Sequence, residues 1–135
     1  MTVQECIDRV DVLKPNQYST EEKVRWLSYI DGSIRKEIID THLKEGETYT
    51  SVKTEEEEVI EFVPYSADRP TDMLIAPFPY DEMYVVYLQA KIDEANGESA
   101  RYNNTASTFN SMLSDFSKAY HRTHLPKNEN FMRYV

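Results

Sequence analysis

Residues 81–121 read DEMYVVYLQAKIDEANGESARYNNTASTFNSMLSDFSKAYH, and this stretch sets the fold class. In its second half, Tyr102, Ala106, Phe109, Leu113, Phe116 and Tyr120 follow one another at steps of four, three, four, three and four. Only a helix brings all six to one face. In the first half, Tyr84 or Val85, Leu88, Ile92 and Ala95 do the same. Asn96-Gly97 lies between the two arms, and both residues tolerate the positive φ that ends many helices. The expectation is a helical hairpin over 81–121, with Asp81 as the N-cap of the first arm. The second arm should begin between Glu98 and Arg101.

Upstream, the pattern predicts two more helices. In residues 2–10, Val3, Cys6 or Ile7, and Val10 share a face, and Thr2 with Glu5 has capping-box spacing. Pro15 then biases Lys14 away from helix. Ser19 with Glu22 repeats the capping spacing, and Glu21 and Glu22 suit the positive end of a helix. Trp26, Ile30, Ile34 and Ile38 step by four, and Val24 and Leu27 broaden the stripe. Gly32 lies within this run and costs about 1 kcal/mol of helix propensity. One helix is expected here, with a bend or short break at Asp31-Gly32 as the alternative.

Residues 44–80 differ in character. Pro64, Pro70, Pro77 and Pro79 forbid an uninterrupted helix. TYTSV and EVIEFV have strand composition, which allows a short β-hairpin. Four consecutive acids, Glu55, Glu56, Glu57 and Glu58, belong at a turn or on a solvated edge. So long a connection is unusual between packed helices, and long connections often bind or line something. After Tyr120 the chain turns basic and is broken by Pro126. Phe131, Met132 and Tyr134 in that tail call for packing on the domain or on a neighbour. The fold class expected is therefore mainly α: a bundle of four to five helices in one domain over 1–135, with an extended arm at 44–80 and a tail at 124–135.

Composition narrows the function. Fifteen Lys and Arg against 24 Asp and Glu give a formal net charge of -9. A protein that wraps nucleic acid needs a cationic footprint instead, although an acidic wall can repel a polyanion. The single cysteine, Cys6, excludes an intrachain disulfide, and a reducing compartment is the plain expectation. No signal peptide or membrane-length apolar run is seen. The three glycines form no phosphate-binding cluster.

Catalytic motifs are also missing. His121 and His124 are near one another, but a metal needs three or four ligands and no partners stand close in sequence, while His42 is remote. No glycine-flanked serine resembles a nucleophile elbow. The Glu55–Glu58 run is too polar to raise a carboxyl by burial. Ten tyrosines and one tryptophan favour core and protein contacts over base stacking, because Tyr80, Tyr84 and Tyr87 stand among acidic and apolar residues. The second arm is crowded with Asn103, Asn104, Thr105, Ser107, Thr108, Asn110, Ser111 and Ser114. These let another helix approach closely and hydrogen-bond without charge. No enzyme activity, cofactor or metal is expected.

One set of residues resembles a known family. Pro79-Tyr80-Asp81-Glu82-Met83-Tyr84, Lys91-Ile92-Asp93, Asn96-Gly97-Glu98, Arg101-Tyr102-Asn103-Asn104, Phe109-Asn110, Phe116 and Arg122-Thr123-His124-Leu125-Pro126 are similar to the small head-tail connector proteins of tailed bacteriophages and prophages of Gram-positive bacteria. A weaker likeness lies in Trp26-Leu27 through Ile38-Ile39. These proteins are also called head-completion, adaptor or DNA-packaging proteins. The resemblance implies a mostly helical, non-catalytic subunit, found in the host cytoplasm before assembly and in the virion at the head-tail junction afterwards. It implies a homo-oligomeric ring of about twelve copies beneath the portal protein. That ring extends the DNA channel and receives a head-closure or tail-completion protein. Genomic DNA passes through without sequence-specific binding, and no membrane is involved. On that reading Glu55, Glu56, Glu57 and Glu58 are candidates to line the channel. Asn103, Asn104, Ser107 and Ser111 are candidates for the subunit interface, and Phe131, Met132, Arg133 and Tyr134 for portal docking. The insertion after the second helix is not a fixed feature of the resemblance. Two other readings compete: a regulatory or scaffolding module that binds another protein through the hairpin, and a small hydrolase or nuclease-associated subunit.

Overall fold

A computed structural model of the chain describes residues 1–41 and 62–124. The protein is mainly helical, and four α-helices carry the described residues. They are α1 (Val3–Leu13), α2 (Thr20–Ile34), α3 (Glu82–Ala95) and α4 (Ser99–Thr123).

Local chemistry sets the start of the first two helices. Thr2 Oγ1 accepts the Glu5 amide at 3.1 Å, and Ser19 Oγ accepts the Glu22 amide at 3.2 Å. Each bond satisfies one donor that the helix itself leaves unpaired. Asp81 stands at the N-cap position of α3 without a side-chain capping bond. Its carboxylate instead meets the N-terminal ammonium of Met1 at 3.4 Å.

Helix α2 runs unbroken through Asp31-Gly32, so the expected alternative of a break there is not realised. The departure from α geometry comes later, as a π-helical turn over Arg35–Ile39. The Asp40 amide reaches back to the Arg35 carbonyl at 2.9 Å, and Arg35 Nε donates to the Asp40 carboxylate at 3.0 Å.

Asn96-Gly97 ends α3 as expected, with Gly97 at φ 75°. The Gly97 amide donates to the Glu94 carbonyl at 3.1 Å, and the Glu98 amide donates to the Asp93 carbonyl at 2.9 Å. This pair of bonds is the Schellman arrangement, and a left-handed residue is what makes it close.

The hub of the fold is α3. Met83, Tyr84, Val85, Leu88 and Ile92 are all buried, because α1, α2 and α4 each pack against this helix. A helix apolar on more than one side is a buried helix. Ala95, expected on the buried stripe, is exposed at the end of the helix. Val3, Cys6, Ile7 and Val10 of α1 and Val24, Leu27, Ile30 and Ile34 of α2 complete the core, while Trp26 and Ile38 are half-buried. Helix α4 packs principally on α3 and sinks only Phe109 and Phe116. Phe109 meets Tyr87 edge-on at 5.0 Å between centroids. The rest of the expected stripe, Tyr102, Ala106, Leu113 and Tyr120, is half-buried, because one neighbouring helix cannot cover a face that wide.

The strand-like sequences TYTSV and most of EVIEFV fall outside the described residues. Phe62 and Val63, the last of that run, are not in a strand. Among the described residues the β pairing is one isolated antiparallel bridge, Thr2 with Met73. Residues 62–80 are not a free excursion. Leu74 and Ala76 are buried, and the Val3 amide donates to the Asp72 carbonyl at 2.9 Å.

Candidate functional site

The most densely hydrogen-bonded buried group is one the sequence patterns did not single out as a site. Asp31 is fully buried on the inner face of α2. Tyr84 of α3 donates to its Oδ1 at 2.5 Å. Tyr65 donates to Oδ2 at 2.5 Å, and the Ile75 amide donates to the same oxygen at 3.0 Å. The Tyr84 hydroxyl also accepts the Ala76 amide at 2.9 Å. One carboxylate thereby fastens residues 65–76 to α2 and α3. Burial raises the Asp31 carboxyl above its ordinary value, and the three donors only partly offset this. Both tyrosine hydroxyls are pushed upward, first by burial and then by the charge of Asp31. With no solvent access and both oxygens occupied, this group is a structural tie. Sequence did carry a signal for it. Val24, Leu27, Asp31 and Ile34 step by three, four and three, which puts Asp31 on the apolar face.

Asp93 is a second buried carboxylate. Lys14 donates to Oδ1 and Thr105 to Oδ2, the latter at 2.9 Å. Burial pushes this carboxyl up, but the bonds from Lys14 and Thr105 outweigh it and hold the group below its ordinary value. The pair joins the end of α1 to both arms of the hairpin. A third buried charge, Lys23, donates to Asp11 at 2.5 Å and links α2 to α1.

Cys6 is fully buried. Burial, then the negative charges of Glu82, Asp31 and Asp81, push its thiol up to about 12, which leaves it protonated and unreactive near neutrality. His124 stacks on Tyr120 with ring centroids 3.9 Å apart and planes 6° from parallel. Among the described residues no three His, Cys, Asp or Glu side chains are grouped as a metal site requires, and no helix is long and apolar enough to cross a membrane.

Besides a concavity of about 480 Å³ bordered by Lys14, Asp93 and Thr105, two others are formed by described residues. One, of about 570 Å³, lies beside α2 and α3 and is lined by Arg25, Trp26, Tyr29, Pro64, Tyr87 and Lys91 among others. Burial, then the neighbouring Tyr29 and Glu94, push the Tyr87 hydroxyl up to about 12. The other, of about 490 Å³, lies at the end of α4. Its apolar walls come from Ile39, Ile75, Pro77, Tyr80, Phe116 and Tyr120.

The residues singled out from sequence fare differently. Asn103, Asn104, Ser107 and Ser111 are all exposed on α4. Thr105, from the same polar cluster, is turned inward to Asp93. Glu55, Glu56, Glu57 and Glu58 lie outside the described residues, as do Phe131, Met132, Arg133, Tyr134 and His42. No protein-family model, curated protein or solved structure matches this chain.

Proposed function

We propose that this chain is a structural, non-catalytic subunit of a tailed-phage or prophage head-tail junction. On this reading it is a small helical bundle with a partly extended arm, and copies of it assemble as a ring beneath the portal protein. The ring continues the DNA channel and presents a surface to a head-closure or tail-completion protein. The resemblance over the hairpin motivates the reading. The observation that carries it further is the setting of α4. This 25-residue helix is anchored along one side by Phe109 and Phe116, while Asn103, Asn104, Ser107 and Ser111 stay in solvent. An uncharged strip of short hydrogen-bonding side chains suits close approach by a neighbouring helix. The net charge of -9 suits a channel wall that must not trap a polyanion.

The reading predicts portal and capsid genes upstream of this gene and tail genes downstream. It also predicts that the chain co-sediments with purified portal protein. Absence of co-sedimentation with the portal encoded beside it would overturn the reading.

A further inference from the structure

We infer that residues 65–76 form a latched strap with Asp31 as its catch, and that this strap and residues 1–4 open together as one unit while the helical core stays folded. The inference does not depend on the connector reading. The strap carries no helix or strand of its own. Its internal backbone bonds are turns: the Arg69 amide donates to the Ser66 carbonyl at 3.0 Å, and the Asp72 amide to the Arg69 carbonyl at 3.2 Å. Among the described residues, Leu74 and Ala76 are the only side chains it gives to the buried apolar core, and the rest of that core comes from the four helices. A segment with so little buried apolar surface opens at a lower free energy than the helices beneath it.

Two sets of outward bonds hold the strap. At the catch, the Tyr65 hydroxyl and the Ile75 amide donate to Asp31, and the Tyr65 amide donates to Ser28 Oγ at 2.9 Å. The Ala76 amide donates to the Tyr84 hydroxyl, itself a donor to Asp31. The second set runs to residues 1–4. The Val3 amide donates to the Asp72 carbonyl at 2.9 Å, the Gln4 amide to the Pro70 carbonyl at 3.1 Å, and the Leu74 amide to the Met1 carbonyl at 3.1 Å. Val3 and Gln4 begin α1, so their amides have no acceptor within the helix. The strap therefore caps α1. Lifting it off Asp31 carries the Asp72 and Pro70 carbonyls away from these amides, and freeing residues 1–4 removes the strap's second attachment. Each set holds the geometry that the other needs, which is what couples the two segments.

Native-state hydrogen exchange of the full chain, followed by NMR at fixed pH, tests the inference. The amides of Val3, Gln4, Leu74, Ile75 and Ala76 should share one protection factor, at least about tenfold below that of Leu88 in α3. Tyr65→Phe removes one bond at the catch and should lower all five by one common factor of about five. Val3 and Gln4 are decisive here, because their amides bond to neither Tyr65 nor Asp31. Ile92→Val trims a buried side chain of α3 and should lower the protection of Leu88 by about threefold to tenfold while leaving the five amides unchanged. Five amides as well protected as Leu88, and falling with it in Ile92→Val, would overturn the inference, since they would then open only by global unfolding. A fall confined to Ile75 and Ala76 in Tyr65→Phe would overturn it too, because the two segments would then open separately.

Discussion

The Tyr84 hydroxyl donates to Asp31 at 2.5 Å while accepting the Ala76 amide at 2.9 Å, so one phenol joins the chain entering α3 to the last turn of α2. Asp31→Ala would take the acceptor from the Tyr84 hydroxyl proton and from the Ile75 amide, while the Tyr65 hydroxyl keeps the Met73 carbonyl at 3.2 Å. At about 1 to 3 kcal/mol for each of these two buried groups, the expected loss is about 2 to 5 kcal/mol in urea denaturation. Tyr65→Phe, which removes one donor, should cost about 1 kcal/mol.

The same carboxylate makes stability depend on pH. Burial raises the Asp31 carboxyl, so the folded chain holds this proton to higher pH than the unfolded chain does. The group's contribution is full below the unfolded value near about pH 4 and is lost as pH rises through the folded value. Stability of the natural chain minus that of Asp31→Asn should therefore fall as pH increases upward from that point. A difference that rises with pH would contradict this direction.

Asp93 acts in the opposite sense. Its carboxyl is held low in the folded chain by Lys14 and Thr105 against the effect of burial. Its contribution is present above about pH 4, the unfolded value, and is lost as pH falls through the folded value. Lys14→Met should raise the Asp93 titration midpoint measured by NMR. It should also cost about 2 kcal/mol at neutral pH, less than a fully buried pair because Lys14 is partly exposed.

Two glycines should respond oppositely to alanine. Gly97 stands at φ 75° with open space where an added methyl would lie, so Gly97→Ala should destabilise by about 1 to 2 kcal/mol through backbone strain alone. Gly32 lies within α2, and an added Cβ would rest at an ordinary 3.5 Å from the Phe62 ring. Gly32→Ala should therefore stabilise by about 0.5 to 1 kcal/mol. Thermal denaturation of both variants checks the pair.

Much of this architecture is legible from periodicity and caps. Thr2, Ser19 and the Asn96-Gly97 stop mark helix ends through short-range chemistry, which a linear sequence displays directly. What periodicity could not show is how many neighbours each helix has. Helix α3 is buried on several sides and α4 on one, yet the apolar stripe of α4 is the longer and more regular of the two. Asp31 was hidden for a related reason. An acid beside a glycine reads as a break, until Tyr65 and Tyr84 arrive from 34 and 53 positions away to satisfy it. Of the candidate interaction residues, the α4 set could be read as exposed because the helical face was already fixed. The acidic run and the aromatic tail offer no such periodicity.

The two faces of α4 should separate folding from assembly. Phe109 is buried against Tyr87, so Phe109→Ala should cost about 3 to 4 kcal/mol and Phe109→Asp should abolish the folded state. Asn104→Arg and Ser111→Arg change exposed positions and should leave the circular dichroism spectrum and denaturation midpoint unchanged. Both should weaken association with the portal. Unchanged portal binding in both would remove α4 from the interface.

The central claim is tested most directly by electron cryomicroscopy of the purified chain mixed with its cognate portal protein. The account predicts a closed ring of this chain beneath the portal, coaxial with the DNA channel, with Asn104 and Ser111 of α4 against neighbouring subunits. Portal particles that carry no added density, or a ring in which the Asn104 face of α4 meets only solvent, would contradict it.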